Sequence, residues 1–290
     1  MSAPITAVLL CAASAAGYAA AAVLQERLAQ RPIGVLVRMP LWWLAIALNG
    51  VGAGLHVVAL RYGPLSLVQP FGVLTLVLAV PVAAALAGHA VARIERRGIV
   101  LTVAGLVGIL LVAGTTNGIA VLSTAQLLSL LMAAAVVLTT LGAWGAVPGS
   151  SVLWPATAAG VSFGVSSALT QTVAVRVTGE GLGALLDSTV AVAALAIAAL
   201  STAGTLFAQR SYRGGLGAPL AVSTLANPVA AATIGMLLLG EQITGGGAGA
   251  LIAVAGAGAA AVGVSLLTRA QIDLRIPAPV APQLSEPCPS

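Results

Sequence analysis

Nine apolar runs, each near the length that crosses a bilayer, dominate this chain: about 4–25, 41–60, 64–88, 98–114, 121–141, 152–175, 187–208, 218–240 and 247–268. Crossing the hydrocarbon core takes roughly 20 apolar residues, and a backbone in lipid must satisfy its own hydrogen bonds. A chain so patterned is expected to fold as an all-α bundle of transmembrane helices. Composition leaves no soluble alternative. Of 290 residues 59% are hydrophobic and 7% charged, with mean hydropathy +1.08, against about 25% charged in ordinary soluble domains. The count rises to ten if one long segment re-enters the membrane.

Charge sets the expected orientation. All twelve basic residues are arginine. With the N-terminus outside, Arg27, Arg31, Arg38, Arg93, Arg96, Arg97, Arg210, Arg213, Arg269 and Arg275 fall in cytoplasmic segments, leaving Arg61 and Arg176 outside, as the positive-inside rule favours. Trp42, Trp43, Trp144 and Trp154 then sit at cytoplasmic span ends, where amphipathic rings favour the interface. The expectation is a multi-pass protein of the cell (inner or plasma) membrane, N-terminus outside and C-terminus cytoplasmic. The first span is expected to be retained, because no basic residue precedes it. Cys11 and Cys288 define no disulfide framework. The net charge of +5 is scattered over span ends, so it does not point to nucleic acid.

Short stretches recur. "AAGY" at Gly17 is echoed by "AAGV" at Gly160, "PLSLVQP" by "PLAVSTLANP", and "TVAG" ending at Gly105 by "AVAG" ending at Gly256. This predicts two inverted four-helix repeats, residues 1–115 (spans 1–4) and 151–268 (spans 6–9), joined by a linker helix in 116–150. One extra crossing starts the second repeat from the opposite side, the arrangement suited to alternating access. Residues 269–290 form a proline-rich tail expected to be disordered and cytoplasmic.

"RYGPLSLVQPFGVLTLVLAVP" and "ANPVAAATIGMLLLGEQIT", followed by "AVAGAGAAAVGV", resemble the drug/metabolite transporter superfamily, including its EamA-like and NIPA-like branches. The first half departs from the pattern, reading "GHAVARIE" where the family has a glycine-glutamate pair. The resemblance implies transport through a helical bundle. Its NIPA-like branch implies magnesium as an alternative cargo.

Charged side chains in mid-membrane usually mark function, but every acid here lies near a span end, Glu26 being the deepest. Polar uncharged groups are therefore the candidates for substrate binding. Asn49, Gly52 and His56 share one stripe of span 2, beside a close-packing pair Gly50 and Gly54. Span 6 carries Ser162, Ser166 and Thr170, for which packing is the default reading, with Gly160 and Gly164 as a second pair. Tyr18, Phe163 and Gln171 are candidate wall residues.

Gln69 and Asn227 each precede a proline, Pro70 and Pro228. A proline frees the carbonyl one turn earlier, and the neighbouring amide offers both a donor and an acceptor. Such groups meeting near the midplane would bind a polar solute, with Pro70, Pro81 and Pro228 as helix breaks. Glu180, Asp187 and Glu241 give the outer mouth an acidic balance that would concentrate cations.

The pattern contains no zinc-binding helix motif, nucleotide loop or catalytic carboxylate pair. No enzymatic activity, cofactor or metal centre is expected. Three functions compete: a secondary transporter of a small organic solute (metabolite or drug-like), a NIPA-like magnesium or divalent-cation transporter, and a non-transporting scaffold or lipid-carrier helper. The partners implied are the substrate and the lipid bilayer, and no oligomeric state is assigned.

Overall fold

The computed structural model describes residues 3–59, 62, 72, 74–88, 90–112, 122–238 and 245–273. Every regular element among them is helical: α1 (Ala3–Arg27), α2 (Pro40–Ala59), α3 (Leu74–Leu86), α4 (Arg93–Val112), α5 (Thr124–Ala146), α6 (Leu153–Glu180), α7 (Ser188–Ser211), α8 (Gly217–Leu238) and α9 (Gly246–Asp273). Three short turns join them, Ile33–Leu36, Leu182–Leu186 and Tyr212–Gly214. Large apolar side chains such as Leu111, Met132, Leu195, Leu237, Leu251 and Val254 lie exposed. A bilayer accepts such a surface and water does not. The chain is an all-helical, multi-pass membrane protein.

Where nine spans are expected, seven helices are long and apolar enough to cross among the described residues. The two that fall short have physical reasons. α3 has 13 residues, about 20 Å at the rise of a helix, and the rest of expected span 64–88 lies mostly outside the described residues. α4 spends its first turns on Arg93, Glu95, Arg96 and Arg97, so its apolar part runs only from Gly98 to Val112.

Local sequence explains several boundaries. Pro40 opens α2 at the position where a missing N–H costs nothing. Ser123 and Gln126 form a reciprocal capping box at the start of α5, and the Gln126 Nε2 also donates to the Leu238 carbonyl at the end of α8 (2.8 Å). Asp187 caps α7, accepting from the N–H groups of Thr189 (2.9 Å) and Val190 (3.2 Å). Gly181, with φ 76°, ends α6 in a conformation side chains resist.

Pro81 and Pro228, expected as helix breaks, instead lie inside continuous helices, α3 and α8. Each still leaves one carbonyl, of Val77 and of Thr224, without its intrahelical donor. In lipid the remaining backbone bonds have no water to compete with, which favours continuing the helix.

Two contact surfaces organise the bundle. α4 and α9 run antiparallel along a glycine seam, Gly98 against Gly263 and Gly105 against Gly256. α6 packs in parallel on α8, where a Cβ on Gly160 would lie 2.6 Å from the Ala226 Cβ and one on Gly164 2.7 Å from the Ala230 Cβ. The buried core joins Ala19, Ala22 and Val23 of α1 to Leu76 and Ala79 of α3, and both to Ala208, Leu220 and Ala221 of the second half.

The helix ends sort by charge. One end gathers the close of α1, α7 and α9 and the start of α4, carrying Arg27, Arg97, Arg210, Arg213 and Arg269. At the other, the starts of α5 and α7 meet through the Thr124 and Thr189 hydroxyls (3.0 Å). Trp144 and Trp154 stack edge to face at 4.9 Å where α5 hands over to α6.

Candidate functional site

The α1–α2 contact is built on small residues. The Ser14 hydroxyl donates to the Gly52 carbonyl (2.7 Å), and the Tyr18 ring covers Gly52, where a Cβ would lie a tight 3.2 Å from the ring. The stripe of Asn49, Gly52 and His56 is therefore centred on α1. Asn49 and His56 flank the contact half-buried, and neither side chain has a hydrogen-bond partner among the described residues. The structure brings Tyr18, Asn49 and His56 to the same helix pair. Gly50 and Gly54, expected to pack closely, face open space. α2 is rotated so that Gly52, between them in sequence, makes the approach.

On α6 the hydroxyls are taken up by packing. Ser162 and Thr170 donate to the Ala158 and Ser166 carbonyls, and Ser166 meets Ser201 of α7 at 3.0 Å. The Phe163 ring closes over Gly204 of α7. It thus packs between α6 and α7, while Gln171 is exposed.

Asn227 has its backbone pressed against Gly160 and Gly164. Its side chain is half-buried with no hydrogen-bond partner among the described residues. The adjacent Pro228 frees the Thr224 carbonyl. Gln69, Pro70 and Glu241 lie outside the described residues.

The acidic groups at the end opposite most arginines already have structural work. Glu180 pairs with Arg176 one turn earlier (3.2 Å), an exposed i,i+4 contact of small energetic weight. Asp187 is the α7 cap. Among the described residues no three His, Cys, Asp or Glu side chains are grouped to hold a metal ion.

Sequence reasoning missed a polar cluster with a buried centre, where α1 and α7 end together. Gln25 and Gln209 are only 2% and 4% exposed. The Gln209 Nε2 donates to the Gln25 carbonyl (2.8 Å), the Arg213 Nε to the Ala29 carbonyl (3.1 Å), and the Gln30 Nε2 back to the Arg213 carbonyl (3.2 Å). Among the described residues the Gln25 Nε2 and the Gln209 Oε1 of this cluster are buried without a partner. One is a donor and the other an acceptor. The available signal was an amide beside a charge at the end of an Ala-rich run, "LQER" and "FAQR". No family model, curated protein or solved structure matches the chain.

Proposed function

We propose that this protein is a secondary transporter of a small organic solute, built as two inverted repeats of the drug/metabolite transporter kind. The observation that carries the reading is a reciprocity in the α4–α9 seam. A Cβ on Gly105 would meet the Gly256 carbonyl and lie 2.6 Å from the Ala260 nitrogen; a Cβ on Gly256 would lie 2.7 Å from the Gly105 carbonyl and 3.2 Å from the Ile109 nitrogen. Each glycine thus faces the other and the residue four positions beyond it. Such self-complementary contact is what a two-fold axis produces, and these are the glycines that end "TVAG" and "AVAG".

The order of neighbouring contacts supports the same reading. α1 packs on α2 and α3 as α6 packs on α7 and α8. The "AAG" echo does not extend it, because Gly17 faces α2 while Gly160 faces α8. With the axis in the membrane plane, exchanging the conformations of the two repeats exchanges the side on which the bundle opens. The bonds from Gln209 and Arg213 to α1 act as the gate at the arginine end. The half-buried amides and imidazole of Asn49, His56 and Asn227 supply polar recognition on the far side of that gate.

The deciding experiment is flux in proteoliposomes with a panel of metabolites, cationic drugs and magnesium. Asp187→Asn sharpens it, because asparagine caps a helix about as well as aspartate while removing the charge. We expect saturable organic-solute flux that this variant leaves unchanged. Magnesium flux that collapses in it would favour the cation reading. Absence of all flux in protein that melts cooperatively would leave a scaffold role.

Orientation has its own test. If the arginine end is cytoplasmic, a membrane-impermeant thiol reagent labels Cys288 only after cells are opened. Cys11, 1% exposed within α1, stays unlabelled throughout. Labelling of Cys288 in intact cells would invert the topology.

A further inference from the structure

α4 begins with a stripe of charge left unpaired among the described residues. Arg93, Arg96, Arg97 and Val100 fall at i, i+3, i+4 and i+7, one face of the helix, and all are exposed. None of the three guanidiniums makes an ion pair or hydrogen bond among the described residues. The neighbouring acid forms no ion pair with them among the described residues: Glu95 is buried and accepts the Ala92 N–H (2.9 Å). Three cations in the first turns of a helix also oppose its dipole. The site is therefore electrostatically unfavourable as it stands, and an anion would relieve it.

The arginines edge a cleft of about 530 Å³ whose remaining lining is apolar, Val100 and Leu101 of α4 and Leu266 of α9. Arg269, one turn beyond Leu266, is exposed and adds a fourth positive charge on α9. We infer that this cleft binds an anionic glycerophospholipid from the leaflet at the arginine end. The guanidinium forks hold the phosphate in paired hydrogen bonds, and the acyl chains run inward over Val100, Leu101 and Leu266. A free phosphate would leave that apolar half unused. Retention of arginines on one side of the membrane requires only that they lie at the correct end; it does not require three on one helical face above an apolar floor. The inference stands whether or not the protein transports a solute.

The test is native mass spectrometry of the full-length protein released from bilayers of mixed phosphatidylglycerol and phosphatidylcholine, with thermal melts in added lipid or inorganic phosphate. Each arginine that hydrogen-bonds the phosphate within the cleft contributes roughly fivefold. The wild type should then retain phosphatidylglycerol about a hundredfold over the triple variant R93Q/R96Q/R97Q. The control R31Q/R38Q, exposed arginines outside the cleft, should retain it as the wild type does. Leu266→Trp, which fills the apolar half, should weaken lipid retention even if the triple variant fails to fold. Equal retention of both lipids, equal loss in R31Q/R38Q, full retention in Leu266→Trp, or equal stabilisation by inorganic phosphate would each overturn the assignment.

Discussion

Gly105→Leu is expected to destabilise the purified protein by about 3 kcal/mol, the upper part of the overpacking range. The reason is what the new side chain meets. A Cβ there runs into the Gly256 carbonyl and lies 2.6 Å from the Ala260 nitrogen, both backbone atoms that no rotamer change can move aside. α4 and α9 would have to separate along the seam they share. In lipid, helices associate through close packing and polar contacts rather than through a hydrophobic force between them, so lost contact is not recovered elsewhere. Gly258→Leu is the control, since its Cβ position meets nothing within 4 Å. Replacing that helical glycine should leave stability unchanged or raise it slightly. Thermal melts of both variants in one detergent decide the matter, and equal melting temperatures would mean that the seam does not hold the bundle together.

The general architecture was legible because lipid imposes it. Apolar runs near 20 residues can be read without any knowledge of packing, and helices begin or end close to most expected boundaries. Rotation about each helix axis was not legible. Gly50, Gly52 and Gly54 have equal standing in the sequence, and only the contact with Ser14 and Tyr18 selects Gly52. In a water-soluble helix the polar face would reveal the rotation; a helix apolar all round has no such marker.

The candidate site was legible in the same uneven way. Asn227 stood out because an amide next to a proline is conspicuous, and its half-buried side chain, without a partner among the described residues, keeps it a candidate. Gln25 and Gln209 did not stand out, because each lies beside a charged residue and reads as part of an interface. Their burial arises from the meeting of α1 and α7, 184 residues apart along the chain. Asp187 and Glu180 stood out as charges of an outer mouth; what the sequence did not reveal is their local contacts, with the α7 backbone and with Arg176.

Asn227→Ala separates packing from recognition more cleanly than any other single change. Its backbone is fixed by Gly160 and Gly164, which press on the Asn227 nitrogen and oxygen, and the substitution leaves that contact in place. Its side chain makes no hydrogen bond among the described residues, so no internal partner is orphaned by its removal. The melting temperature should therefore change little. Transport should change much more: a solute group left unpaired in a desolvated site costs about 1–3 kcal/mol, or roughly 5- to 150-fold in apparent affinity. Gln69→Ala is expected to act in the same direction. Pro228→Ala restores a donor to the Thr224 carbonyl and should slow turnover more than it weakens binding. An Asn227→Ala protein that melts earlier yet transports with wild-type affinity would reverse the assignment and make the residue part of the α6–α8 packing alone.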